Sequence, residues 1–146
     1  MLPLSESLTL FKPEIYLATA GILSLVLGAW RGTRGWCGAI IAFGIAAAAA
    51  LLCAMGRPPV SVAIFDDMLR FDGLAYYAKW LILATLALTA LMSWGARELD
   101  EVEQGEYYGL LAIAAVGLMM LAAANHLLMV VLAMETVSLC SYLLVG

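Results

Sequence analysis

Charged residues are scarce in this chain. Only 12% of its 146 residues are Asp, Glu, Lys or Arg, whereas 65% are apolar and the mean hydropathy is +1.01. Soluble domains have about 45–50% apolar and about 25% charged residues. The composition therefore argues against a soluble domain, and a net charge of −4 leaves no basic patch for nucleic acid. We expect the sequence to fold in a lipid bilayer.

Residue types that usually build a cofactor or metal site are also scarce. The three cysteines, Cys37, Cys53 and Cys140, lie in or beside apolar runs without a CxxC pair, so we interpret them as small packing residues. His126, the one histidine, has no nearby ligands, and we expect it in a surface turn. The sequence contains no phosphate-binding glycine loop, nucleophile elbow or zinc motif. We therefore expect this chain itself to bind neither a cofactor nor a metal.

The apolar runs predict an all-α, polytopic membrane bundle with about five transmembrane helices in a single domain, 1–146. A membrane-spanning helix needs about 20 mostly apolar residues. The predicted helices are 14–30, 36–55, 74–94, 106–124 and 127–145. One helix over the last forty residues would be about 60 Å long, about twice the hydrocarbon thickness. We therefore place a tight turn at Asn125-His126, since asparagine tolerates the left-handed conformation that ends helices.

Three connecting segments carry further information. Residues 56–73, with Pro58-Pro59, predict a small ordered element along the outer surface. Residues 95–106 hold five carboxylates and one arginine, which is typical of a solvated acidic loop. Arg31 and Arg34 in the short first loop favour a cytoplasmic position for that loop, and hence an N-terminus outside. A signal peptide is the alternative for the first run, but no clean cleavage site precedes Arg31 and four further spans follow.

Glu135 is the only charged residue among the last twenty positions. A charge at the bilayer centre costs roughly 2.5–3.5 kcal/mol, and such residues usually mark proton or ion paths. Ser138 and Tyr142 follow at i+3 and i+7, so a polar stripe is expected that faces the bundle interior or an internal water chain. Burial favours a neutral carboxyl group and a nearby lysine favours an ionised one. We predict that Glu135 transfers protons; the alternative is a protonated Glu135 that only donates an interhelical hydrogen bond.

Lys79 lies about two turns into the third predicted span. Its long side chain can extend to the outer interface, where Tyr76, Tyr77 and Trp80 would act as anchors. The alternative is a membrane-embedded cation near a proton route. Under that alternative Lys79 is a candidate site residue beside Glu135, Ser138 and Tyr142.

The second half of the chain resembles a known family. The run GEYYGLLAIAAVGLMMLAAANHLLMVVLAMETVSLCSYLLVG resembles the fourth and fifth helices of subunit N of the proton-pumping NADH:quinone oxidoreductase, complex I. The matching features are Glu-x-Tyr at its start, the Gly-Leu-Met-Met motif at 117–120, Ala124-Asn125, and Glu135 with Ser138 and Tyr142 after it. The run DDMLRFDGLAYYAKWLILATLALTALMS resembles the third helix, including Lys79. The resemblance is specific for residues 65–146 and only compatible for 1–64.

The resemblance implies the first third of an antiporter-like subunit that carries protons across the bacterial inner membrane. It implies NADH, FMN, iron–sulfur clusters and quinone in partner subunits, with the other membrane subunits and the lipid bilayer as this chain's partners. Glu135 matches a fifth-helix glutamate that works opposite a lysine on a later helix, beyond these 146 residues. His126 departs from the pattern, since the family often has aspartate there.

Two alternative functions stay open at this point. A subunit of a related cation/proton antiporter or membrane-bound hydrogenase would have similar helices, and the later helices would distinguish it. A structural assembly element would use Glu135 as a neutral hydrogen-bond donor.

Overall fold

A computed structural model describes residues 4–28, 36–58, 60–94 and 104–145. Six helices and one β-hairpin follow one another along these residues. They are α1 (Leu4–Leu10), α2 (Lys12–Gly28), α3 (Cys37–Met55), β1 (Val62–Ile64), β2 (Leu69–Phe71), α4 (Gly73–Trp94), α5 (Gln104–Ala123) and α6 (Leu127–Val145). The predicted all-α class is confirmed, with the hairpin as a small addition.

Within the part of the chain that the structure describes, four helices are long and apolar enough to cross a membrane: α3, α5, α6 and the Gly73–Ser93 portion of α4. The first predicted span, 14–30, corresponds to α2, which has 17 residues, at the lower end of the range of about 17–25 for a crossing helix. A polytopic membrane bundle is therefore confirmed, and the crossing of α2 as its fifth member stays a prediction. Of the predicted acidic loop 95–106, residues 104–106 belong to α5 and the rest lie outside the described residues.

Helix α5 lies at the centre of the bundle, in contact with α2, α3, α4 and α6. Small residues allow α2 and α5 to approach each other closely. A Cβ atom added at Gly109 of α5 would lie 2.9 Å from the carbonyl oxygen of Gly21 on α2. The core around this crossing includes Leu17 of α2, Ile41 of α3 and Met119 of α5, all fully buried. The crossing fixes α2, and therefore the residues at its N-terminus, relative to α5.

The segment between α3 and α4 forms the hairpin β1–β2, the small ordered element expected there. Its strands are antiparallel and pair Val62 with Phe71 and Ile64 with Leu69. The turn between them uses three successive residues with positive φ, Phe65, Asp66 and Asp67, of which the aspartates belong to a residue type that tolerates this region.

The hairpin holds the turn between α5 and α6. The backbone N–H of Asn125 donates to the carbonyl oxygen of Met68 (3.0 Å), and its side-chain Nδ2 donates to the carbonyl oxygen of Asp67 (3.0 Å). The turn lies at the predicted position, but the predicted left-handed conformation of Asn125 is wrong: among the described residues, the non-glycine residues with positive φ all belong to the hairpin. Asn125 ends α5 through these tertiary hydrogen bonds instead.

Candidate functional site

A buried ion pair joins α2 to α4. Glu14 lies in the first turn of α2, where the helix dipole favours a negative charge. Lys79 lies in the second turn of α4, whose N-terminus is capped by Asp72: the Asp72 carboxylate accepts a hydrogen bond from the Ala75 N–H at 2.8 Å. Both residues lie near the N-terminal ends of their helices, and both helices pack against α3 and α5. This arrangement brings the two charges together at one end of the bundle.

The geometry of this pair is that of a fully desolvated contact. Lys79 Nζ lies 2.5 Å from Glu14 Oε1, and each side chain is only 1% exposed. The ammonium also lies 4.7 Å from the ring centroid of Phe71 on β2, within reach of a cation–π interaction. The second carboxylate oxygen, Glu14 Oε2, is buried and has no hydrogen-bond partner among the described residues. The site is therefore charged and buried, and one of its carboxylate oxygens has no partner among the described residues.

The interpretation of Lys79 as an interfacial side chain is wrong, because Glu14 holds it inside the bundle. Sequence reasoning also missed Glu14, which it treated only as the start of the first helix. A signal was present: Lys79 is the one charged residue of α4, and Glu14 is the one acidic residue of α2, which also contains Lys12. Burial of one such charge makes an oppositely charged partner on a neighbouring helix the expected solution.

Glu135 lies on the outer surface of the described bundle. It is exposed in an open groove that it lines together with Leu128, Val131 and Leu132. Within the described residues, no hydrogen bond or ion pair reaches its carboxylate. Most of the residues that line this groove are apolar, and His126 is the other ionisable residue among them.

The predicted polar stripe does not point into the described bundle. Ser138 is half-buried and Tyr142 is 72% exposed. The reason is that α6 packs on α5 through a different face, on which Thr136 and Val137 lie closest to Gly117 of α5. The stripe is therefore available to a neighbouring helix that is not among the described residues.

The structure does not bring Lys79 and Glu135 together, because Lys79 is engaged by Glu14 inside the bundle. His126 lies in the turn before α6, where its Nδ1 accepts a hydrogen bond from the Leu128 N–H at 3.3 Å. The described ranges contain no group of three or more His, Cys, Asp or Glu residues that could hold a metal ion. The candidate residues thus lie in two separate sites, the buried Glu14–Lys79 pair and the exposed groove that is lined by Glu135 and His126.

Comparison with known proteins finds relatives that match most of the chain. It is 37% identical over 139 residues to NADH-quinone oxidoreductase subunit N of Anaeromyxobacter sp. (strain Fw109-5), a match that covers 93% of this chain and 27% of that relative. It is 34% identical to the subunit N of Desulfovibrio desulfuricans (99% and 29% covered) and 31% identical to that of Rhodospirillum rubrum (90% and 28%). No family model and no solved structure matches.

The fold and the two sites define a polytopic helical membrane protein with ionisable groups embedded in its apolar helices. Within that class, the chain matches a part of NADH-quinone oxidoreductase subunit N, so the resemblance inferred from its motifs is confirmed. The chain spans just over a quarter of the length of these relatives, from 27% to 29%.

Proposed function

We propose that this chain is part of a membrane subunit of NADH:quinone oxidoreductase and contributes to proton translocation coupled to quinone reduction. The observation that carries the proposal is an acid on the apolar outer face of α6, in a chain that matches subunit N over 93% of its length. Partner subunits would bind NADH, FMN, iron–sulfur clusters and quinone. The complex would lie in the bacterial inner membrane, with the N-terminus of this chain outside.

The location of Glu135 supports a role as the proton-exchanging carboxylate. Lipid offers a charged or hydrogen-bonding side chain no partner, so an acid on this face is costly unless another helix covers it. Most of the length of the matched relatives lies outside the match, and that part can supply a covering helix. A basic group on it would stabilise ionised Glu135, and movement of that group away would favour protonation.

Ser138 and Tyr142 support the same role through their hydroxyl groups. They lie about one and two turns beyond Glu135 on the same side of α6, and hydroxyl groups both donate and accept hydrogen bonds. Together the three side chains can pass a proton along the covered face toward the C-terminal end of α6. Lys79 is not a partner of Glu135 in this proposal, since Glu14 holds it elsewhere.

The test is Glu135→Gln in the assembled oxidoreductase, with NADH oxidation and proton pumping measured together in proteoliposomes. Glu106→Gln is the matched control, because Glu106 is also an exposed acid on a membrane helix but lies in the first turn of α5 rather than near the middle of its helix. We expect Glu135→Gln to abolish or strongly reduce pumping and Glu106→Gln to leave it unchanged. Normal pumping by both variants would favour the structural role of Glu135 as a neutral hydrogen-bond donor.

The related-transporter alternative is tested by purification. Affinity-tagged chain should co-purify with the NADH-oxidising and quinone-reducing subunits. Recovery with hydrogenase or antiporter subunits instead, and without NADH-dehydrogenase activity, would contradict the assignment to this oxidoreductase.

A further inference from the structure

The Glu14–Lys79 pair is a second buried ionisable site, and the proposed role of Glu135 makes no use of it. Both side chains are 1% exposed, and the pair lies at the end of the bundle that carries the hairpin. One carboxylate oxygen, Oε1, contacts the lysine. The other, Oε2, is equally buried and meets no donor among the described residues.

A buried carboxylate oxygen without a donor is unfavourable. Interior polar atoms almost always have a hydrogen-bond partner, either protein or internal water. Two species satisfy Oε2 here: a water molecule that donates to it, or a proton bound to it. Both keep Lys79 in place on Oε1, so the lysine does not need to move when the second oxygen changes its partner.

The other charged and titratable groups at this end of the bundle either have their own contacts or are exposed. Arg57, which follows α3, lies over the Tyr77 ring at 5.7 Å. From the hairpin, Arg70 pairs with Asp67 at the surface at 3.3 Å, and the Asp72 carboxylate caps α4. His126, at the same end, accepts the Leu128 N–H. On α2 itself Lys12 is exposed, and Tyr76 and Tyr77 of α4 contact each other.

The titratable groups of α5 lie at the far end of the bundle. Gly105, next to Glu106, contacts Gly28 at the C-terminal end of α2, and the hydroxyl of Tyr107 contacts Ser93 near the end of α4. Glu14, by contrast, lies at the N-terminal end of α2. Among the described residues, Lys79 is the charged group in contact with the Glu14 carboxylate.

We propose that Glu14 and Lys79 form a second proton-exchange site, in which Glu14 Oε2 binds and releases one proton from an internal water chain that enters near the hairpin. On loading, hydronium transfers its proton to Oε2 and leaves as water, so the pair changes from neutral to singly positive. On release, the same proton returns to water and the neutral pair is restored. Lys79 stays protonated and positions the carboxyl group throughout. This site does not depend on Glu135.

The test is infrared difference spectroscopy on the full 146-residue chain in lipid nanodiscs, between about pH 5 and pH 9. The readout is the C=O stretching band of a protonated carboxyl group. We expect a band that grows reversibly as the pH falls, shifts in D2O, and is lost in Glu14→Gln. Lys79→Gln removes the charge that favours the ionised form, so the band should persist to higher pH in that variant.

Two control variants separate this site from Glu135. The band should persist in Glu135→Gln and in Glu106→Gln, so failure of the Glu135 proposal leaves this one standing and the reverse also holds. Glu14→Asp keeps the carboxyl group and should move the band, which covers the case that Glu14→Gln does not fold. A spectrum in which neither Glu14 variant alters any titrating or D2O-sensitive carboxyl band would overturn the proposal and leave a permanent structural ion pair.

Discussion

Replacing Lys79 by Met should destabilise the chain far more than removing a charge from its surface. Lys79→Met leaves the Glu14 carboxylate, 1% exposed, without its cation. Removing one partner of a buried ion pair typically costs about 3–5 kcal/mol, because the remaining charge is uncompensated. The Arg70–Asp67 pair has side chains 46% and 56% exposed, so Arg70→Met should cost at most about 1 kcal/mol.

The double variant Glu14→Leu/Lys79→Met removes both charges, so it distinguishes the cost of an uncompensated charge from the cost of lost packing. Replacing a whole buried pair by apolar residues is often neutral or stabilising, so we expect the double variant to regain most of the stability lost in Lys79→Met.

The assay is the free energy of unfolding of the full chain in mixed lipid–detergent micelles, titrated with a denaturing detergent and followed by tryptophan fluorescence and circular dichroism. The measurement compares the wild type with both single variants and the double variant under the same conditions. The reasoning is refuted if Lys79→Met costs no more than Arg70→Met. It is also refuted if the double variant is as unstable as Lys79→Met, since the loss would then come from packing rather than from an uncompensated charge.

Three further predictions concern packing and caps. Gly109→Ala should destabilise the fold by about 1–2 kcal/mol despite the better helix propensity of alanine, because the new Cβ meets Leu25 and the Gly21 carbonyl. Gly38→Ala, whose Cβ would make only an ordinary contact with the Tyr108 ring at 3.8 Å, should be neutral or stabilising by the same unfolding assay. Equal effects of the two substitutions would contradict the close α2–α5 crossing. Asp72→Ala should lower the free energy of unfolding by about 0.5–2 kcal/mol, because α4 loses its N-terminal cap. Asp72→Asn should retain most of the stability, and equal losses in the two variants would argue against capping. Asn125→Ala should lower the free energy of unfolding by about 0.5–1.5 kcal/mol, because the hydrogen bond from its side chain to the Asp67 carbonyl is lost. The rate of amide hydrogen exchange should rise selectively in the hairpin. An unchanged rate would contradict the link between the hairpin and the turn.

Helix positions were predictable from the sequence because each membrane helix is a long apolar segment, which length and hydropathy identify. Each predicted helix shares most of its residues with a helix of the structure; 127–145 corresponds to α6, Leu127–Val145. The bilayer leaves no other way to satisfy backbone polar groups within one apolar segment. The turn at 124–126 followed from the same length argument.

Tertiary partners were not predictable in the same way. The sequence offers no signal that Asn125 binds the hairpin backbone, since that contact depends on how β1–β2 folds back over the bundle. Glu14 and Lys79 are 65 positions apart (79 − 14), and propensity carries no information over such a separation. The available clue was a pair of opposite charges in two apolar helices. The sequence analysis considered Lys79 without Glu14, and therefore did not predict the pair.

The face through which α6 packs on α5 was not predictable either. The sequence predicted Glu135, Ser138 and Tyr142 on one side of α6, and the resemblance implied a partner lysine beyond these 146 residues. Helix α6 contacts α5 through small and β-branched residues instead, which leaves the stripe outward. Matched relatives are more than three times as long as this chain, so the interior that the stripe faces in them can lie beyond these residues.

The most direct test of the role of Glu135 compares two substitutions that differ only in the carboxyl group. The proton-to-electron ratio of the reconstituted oxidoreductase is measured during NADH oxidation for Glu135→Asp and Glu135→Gln. A proton-exchanging carboxylate predicts that the Asp variant keeps a substantial part of the wild-type ratio while the Gln variant loses it. Equal ratios for wild type, Asp and Gln in fully assembled complexes would contradict the account.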